Sequence, residues 1–127
     1  MKDLMFILPY QAGLLGQLAE ALGRAGVNIE GCSLQHFGPE GLVHLLVEDA
    51  AGARRAAEEA GFAVRGEHDV IVLSVKDEPG ELARLLAPIA DAGVNVDLAY
   101  TATDSRLVIG VDDLERARAA LRPEGRR

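Results

Sequence analysis

Apolar and polar positions along this chain follow two periods, near 2 in some stretches and near 3.6 in others. Leu4 to Leu8 is a short apolar run, read as a strand. A turn follows, Pro9-Tyr10-Gln11-Ala12-Gly13, and then a helix from Leu14 to Ala25 with Leu15, Leu18 and Leu22 inward. Gly26 stops it, in the left-handed position that ends many helices. Asn28 to Phe37 reads as a strand, Gly38-Pro39-Glu40-Gly41 as a hairpin turn, and Leu42 to Val47 as the partner strand. Asp49 is placed to cap a helix over Ala50 to Ala60, whose inward stripe is mostly alanine. Gly61 ends that helix, Phe62-Ala63-Val64 is a short strand, and Arg65 to Asp69 is a polar joint.

A similar order then starts again. Strand 70–76 leads through Asp77-Glu78-Pro79-Gly80 into helix 79–92, striped by Leu82, Leu85, Leu86 and Ile89. Asp77 or Glu78 is the expected cap, with Pro79 near the first helical position. Pro88, inside the helix, removes a hydrogen bond and predicts a kink. Val96, Leu98 and Tyr100 alternate, which predicts a half-buried strand over 95–103. A turn near Asp104-Ser105, strand 106–111 and helix 113–121 follow, with Asp112 and Glu115 spaced as a capping box.

The two halves share a frame. Gly13 and Gly80, Leu15 and Leu82, Leu18 and Leu85, Leu22 and Ile89, Gly26 and Gly93, and Asn28 and Asn95 each lie 67 residues apart. Val47 and Val111, Asp49 and Asp113, and Arg54 and Arg118 lie 64 apart. The second copy is therefore three residues shorter, and a strand-strand turn absorbs such a loss where a helix or ladder would not. The order strand, helix, strand, strand, helix, strand predicts an α+β fold of two tandem ferredoxin-like (βαββαβ) modules, with antiparallel sheets and helices on one face. The expected modules are residues 1–66 and 68–121, with a polar tail at 122–127. The second module lacks its last strand, so strand 70–76 is left with an open edge. Such edges are usually covered, here by the first module's strand or by a second subunit, and a homodimer is expected.

The turn ending in Pro79-Gly80, the leucine-striped helix and Ala92-Gly93-Val94-Asn95-Val96 together resemble the ACT domain. The resemblance runs from Leu4 to Leu121 and is closer in the second copy, since the first has Ala12 where the pattern has proline. It implies a stand-alone tandem ACT protein, a small-molecule (amino acid) binding regulatory protein without catalytic activity. It also implies ligand contacts at Asp77 and Asn95, with Tyr10 and Asn28 as their first-copy counterparts. Tyr10 departs from the usual Asn or Asp and is placed to stack on or close a site. The physics agrees. A helix start offers unpaired N–H groups and a positive dipole end to a carboxylate, and Gly80 and Gly13 admit close approach. Asp77, Glu78 and Glu81 suit an ammonium group, so a zwitterion fits better than a phosphate. The candidate ligand-binding set is Asp77, Glu78, Pro79, Gly80, Glu81, Leu82 and Asn95, with Tyr10, Gln11, Ala12, Gly13, Leu14 and Asn28 in the first copy. The second turn is the expected principal site. The plainer reading makes Asp77 and Glu78 simple caps and the two asparagines backbone-tolerant turn residues. The alternative function is an ACT-type interaction module that docks on a metabolic enzyme without binding ligand.

Bulk properties narrow the partners. A net charge of −7 repels a nucleic-acid backbone, and three Phe with two Tyr leave few aromatics for an RNA-binding sheet. A module of about 60 residues buries too little to be more than marginal alone. No apolar run approaches a membrane span, and the short apolar start is not a signal peptide, so a cytoplasmic protein is expected. Cys32 is read as a buried small hydrophobe. His36 and His44 flank one hairpin, on a face with Cys32, but without the spacing of a metal site. His68, in the joint, is expected to be solvated. No metal, cofactor or catalytic set is expected.

Overall fold

Strand β1, Lys2–Pro9, sets the core of the first half, because its apolar residues from Leu4 to Leu8 alternate in burial. Leu4, Phe6 and Leu8 are buried on one face. The computed structural model describes residues 1–122. After β1 come α1 (Leu14–Arg24), β2 (Gly31–Phe37), β3 (Glu40–Val47), α2 (Ala50–Glu59) and β4 (Gly66–Asp69). Then follow β5 (Ile71–Ser74), α3 (Glu81–Asp91), β6 (Val96–Ala102), β7 (Arg106–Val111) and α4 (Leu114–Leu121). The chain divides into two compact units, Met1–His68 and a second from Asp69 onward.

In the first unit the strands lie in the order β4-β1-β3-β2. β1 runs antiparallel to β3 from Lys2↔Val47 to Pro9↔Glu40, and β2 antiparallel to β3 from Gly31↔Leu46 to Phe37↔Glu40. Helices α1 and α2 lie against each other and over β1. Leu18 and Leu22 of α1 and Ala53 and Ala57 of α2 close the core with Val43, Leu45 and Val47. Burying each leucine contributes about 1.5–3 kcal/mol. The alanines add little area but let α2 approach the sheet closely.

In the second unit the order is β6-β7-β5, with β7 antiparallel to both neighbours. Ile71, Leu85, Ile89, Val94, Leu107, Ile109 and Ala117 form the core. A register shift between Val96 and Leu98 bends β6. Leu98 then lies over Gly110, where an added Cβ would sit 2.8 Å from its Cγ. Helix α3 runs unbroken through Pro88, whose carbonyl accepts the Ala92 N–H at 3.1 Å. Among the described residues β5 pairs with β7 alone. The expected tail lies, from Pro123 on, outside the described residues.

The three-residue difference falls at the hairpin tips. Six residues separate the rung Gln35↔Leu42, and three separate the corresponding rung Ala102↔Arg106. The shorter loop turns through Asp104 (φ 60°) and Ser105 (φ 51°), both left-handed.

Several expectations are corrected. The short strand at Phe62-Ala63-Val64 is not one; Phe62 and Val64 pack irregularly against the core. The supposed joint instead holds β4. Its polar side chains belong to an edge strand, fixed by Lys2 and Arg54 on Glu67 at 3.3 Å each and by the Arg65 N–H on the Met5 carbonyl at 2.8 Å. Arg54, then Lys2, holds the Glu67 carboxyl below the usual carboxylate range. Asp49 caps α2 as expected, through the Gly52 N–H at 2.9 Å. Neither Asp77 nor Glu78 caps α3: the cap residue is Gly80, at φ 87° with no side-chain bond. In α4 the cap is Asp113, which accepts the Arg116 N–H at 3.1 Å, and not Asp112.

Candidate functional site

Lys76, Asp77, Glu78, Pro79 and Gly80 must reverse the chain between β5 and α3. Gly80 makes the last step, because its left-handed φ would strain any side chain. The Val75 N–H donates to the Ser105 carbonyl at 2.8 Å, which pins the turn to the β6–β7 hairpin. Glu81 anchors it from inside. That side chain is 3% exposed, and its carboxylate accepts the Lys76 N–H at 2.8 Å and Arg84 Nε–H at 2.6 Å. The Arg84 bond first, and the Lys76 N–H second, hold its carboxyl down to about 2.

Between turn and hairpin lies a cleft of about 320 Å³, at the small end of ligand pockets. Asp77, Glu78, Leu82 and Lys76 line one wall, and Thr101, Ser105 and Arg106 the other. Arg106 is braced by Nε–H to the Thr103 carbonyl at 2.7 Å and Nη2–H to Thr103 Oγ1 at 2.8 Å. The cleft therefore presents two cationic groups, two outward carboxylates, two hydroxyls and an apolar edge at Leu82. Charges of both signs over so short a span match a small zwitterion.

Of the residues expected at this site, Asp77, Glu78, Glu81 and Leu82 line the cleft, while Pro79 and Gly80 shape the turn behind it. Glu81 is already engaged by Lys76 and Arg84. Asn95 does not line the cleft. Its N–H and Nδ2–H both donate to Asp112, at 3.0 and 2.9 Å, and clasp the start of β6 to the end of β7. Those bonds, the side-chain one first, hold the Asp112 carboxyl below its usual range. Asn28 donates to Glu30 at 2.6 Å. Sequence reasoning missed Lys76, Thr101, Ser105 and Arg106. The shortened hairpin was the available signal, since it brings residues just beyond its tip against the turn.

The first unit's turn is built differently. Tyr10 stacks on His36, with ring centroids 3.8 Å apart and planes 15° from parallel. The Tyr10 N–H donates to the Pro39 carbonyl at 2.8 Å, and His36 Nε2–H to the Gly38 carbonyl at 2.5 Å. The ring pair thus sits between turn and hairpin, where the second unit has its cleft. Gly13, at φ 90°, starts α1 as Gly80 starts α3, and Ala12 is exposed. Gln11 and Leu14 line a separate cleft on the other side of β1.

Two further expectations change. Cys32 is exposed, on the strand that lies beyond β3 from β1, while α1 and α2 pack over β1. Partial desolvation still pushes its thiol up. His36 and His44 lie on opposite faces of the hairpin, by their rungs with Gly41 and Ser33. His68 is exposed, as expected, and still lies near a cluster: His44 Nδ1–H donates to the fully buried Asp3 carboxylate at 2.8 Å, and His68 Nδ1 lies 3.4 Å from the same oxygen. Among the described residues no helix is long and apolar enough to cross a membrane.

The ACT domain family model matches residues 70–124. No curated protein matches the chain by sequence. Among solved structures, a protein from Bacteroides thetaiotaomicron is similar with a TM-score of 0.84 at 24% identity, over 94% of this chain and 85% of that one. The regulatory subunit of aspartate kinase from Thermus thermophilus is similar at 0.69 and 22%, over 94% and 85%. The structure of aspartokinase alpha and beta subunits follows at 0.67 and 18%, over 94% and 88%. At these identities the likeness is one of fold.

Proposed function

We propose that this protein, with an ACT domain over residues 70–124, is a non-catalytic regulator that binds a free amino acid at the β5–α3 turn. The observation that carries the reading is the cleft itself, open and lined by charges of both signs. The ligand carboxylate is held by Lys76, Arg106 and the start of α3, where helix N–H groups and dipole favour an anion. The ammonium group is held by Asp77 and Glu78. The side chain lies along Val75 and Leu82, and a cleft this small suits one amino acid and not a peptide.

We further read the chain as two ferredoxin-like modules in tandem. The β4-β1-β3-β2 order of the first unit and the matching hairpin registers support this. ACT domains are regulatory, and the structural neighbours include regulatory subunits of aspartate kinase, so control of a metabolic enzyme is the proposed output. The one-sided pairing of β5 among the described residues supports a homodimer, because an unpaired strand edge recruits another chain. The competing reading, a docking module without ligand, draws on Leu82, 53% exposed at the cleft mouth.

Calorimetric titration of the full chain with each common amino acid separates the two. The ligand reading expects saturable binding by a subset of them, weakened about tenfold or more in Asp77→Ala, as loss of a charge-assisted hydrogen bond requires. Heat-silent titrations with all of them would leave the docking reading standing.

A further inference from the structure

The first unit holds a second cleft, of about 430 Å³, between the far end of β1 and the segment that follows α2. Its origin is topological. Gly61, at φ 91°, and the Phe62 N–H on the Ala57 carbonyl at 2.9 Å turn the chain sharply out of α2. The chain regains β1 only at Arg65, whose N–H donates to Met5. Alternate residues of a strand direct their N–H and C=O to opposite sides. Tyr10 bonds toward β3 and Met5 toward β4, so Ile7 directs both its groups toward the β4 side, beyond the end of that strand. No backbone partner meets them there among the described residues.

The walls are about half apolar, with Ile7, Pro9, Leu14 and Phe62, and about half polar, with the Gln11 and Gln17 amides. Arg65 is the one charged residue on them, and its guanidinium makes no hydrogen bond or ion pair among the described residues. Among the described residues no carboxylate lines the cleft, unlike the cleft at the β5–α3 turn. A strand is a poor occupant, because Pro9 has no N–H and only Ile7 offers both backbone groups. A phosphate is a poor one too, with Arg65 as the one cation among the described lining residues to meet its double charge.

We propose that this cleft is a second small-molecule site, selective for a compact apolar monocarboxylate without an ammonium group, of the 2-oxo acid class. Arg65 takes the carboxylate in a two-pronged bond. The Ile7 N–H or the Gln11 amide takes the oxo oxygen, and the aliphatic tail lies on Leu14 and Phe62. An amino acid is disfavoured because its ammonium group would meet the Arg65 cation and no carboxylate among the described lining residues.

The test is amide and guanidinium NMR of the full chain titrated in parallel with 4-methyl-2-oxopentanoate and leucine. The oxo acid should shift the Ile7 amide and the Arg65 Nε–H saturably, and leucine should leave both unmoved. Arg65→Gln, at an exposed position, should keep the dispersed spectrum and lose about tenfold or more in affinity for the oxo acid. Unmoved Ile7 and Arg65 signals, undiminished affinity in Arg65→Gln, or equal response to leucine would each overturn the proposal. Shifts confined to Lys76–Leu82 would assign the acid to the other cleft and overturn it equally.

Discussion

The two helix-starting turns share a backbone and differ in what fills the space beside them. Both α1 and α3 start from a left-handed glycine, Gly13 at φ 90° and Gly80 at φ 87°. Sixty-seven residues before Asp77 stands Tyr10, and the longer hairpin beside it carries His36, so two rings stack where the second unit is open. Sixty-seven residues before Glu81 stands Leu14, so the first turn also lacks the buried carboxylate that ties the second together. One side chain and three residues of hairpin separate a closed turn from an open one. The backbone frame is shared, and the side chains beside it differ between the two copies.

The comparison can be broken first at the level of the cores. Leu22 and Ile89 occupy matched positions and are 0% and 1% exposed. Leu22→Ala and Ile89→Ala should each cost about 2–5 kcal/mol in urea unfolding. A loss well under that range at either one would end the structural correspondence of the two helices.

Binding should divide the turns next. Asp77→Ala should raise the amino-acid Kd about tenfold or more, and Tyr10→Ala should change it by less than about twofold. Equal losses in calorimetry would mean that the stacked turn also holds ligand. The glycines should then behave alike in stability and unlike in function. Gly13→Ala and Gly80→Ala should each cost about 1–2 kcal/mol, the strain of a side chain in the left-handed region. Only the second should also weaken binding, and a loss of affinity in Gly13→Ala would contradict the assignment.

Acid should distinguish the units last. The Glu81 carboxyl titrates at about 2 in the folded chain against an ordinary 4.5. A depressed folded value means its stabilisation is full above the ordinary carboxylate range and fades as pH falls through 4.5 towards 2. Amide spectra followed from pH 5 to pH 2 should therefore show the β5–α3 turn loosening, while the Leu14 turn of the first unit shows no matching change. Glu81→Gln should flatten that pH dependence.

Much of the fold was legible because the signals are local. Leucine stripes give α1 and α3, the glycines at 26 and 93 give their ends, and the offset of 67 against 64 points to the hairpin tip. The misses share one cause: they depend on what lies across space. The polar Gly66–Asp69 becomes a strand because β1 offers it an edge, and alternation within four residues cannot show that. Cys32 is exposed on β2 while the helices pack over β1, a matter of helix placement. Asp113 displaced Asp112 as the α4 cap because Asn95, seventeen residues earlier, engages Asp112. In the candidate site, the turn's half was readable from the Asp-Glu-Pro-Gly run. The hairpin's half, Thr101, Ser105 and Arg106, was not, since nothing local ties them to residue 77.

Ser105 lines the cleft while holding a left-handed backbone at φ 51°, and its carbonyl secures the Val75 N–H. A non-glycine residue in that conformation stores strain, which folded chains tend to keep where it serves an activity. Ser105→Gly would relax the hairpin and raise the melting temperature. It would also remove the hydroxyl and slacken the wall that faces the turn. Selection for thermostability and selection for the proposed ligand would then pull this one position in opposite directions, so a variant thermostabilised here should bind that ligand more weakly.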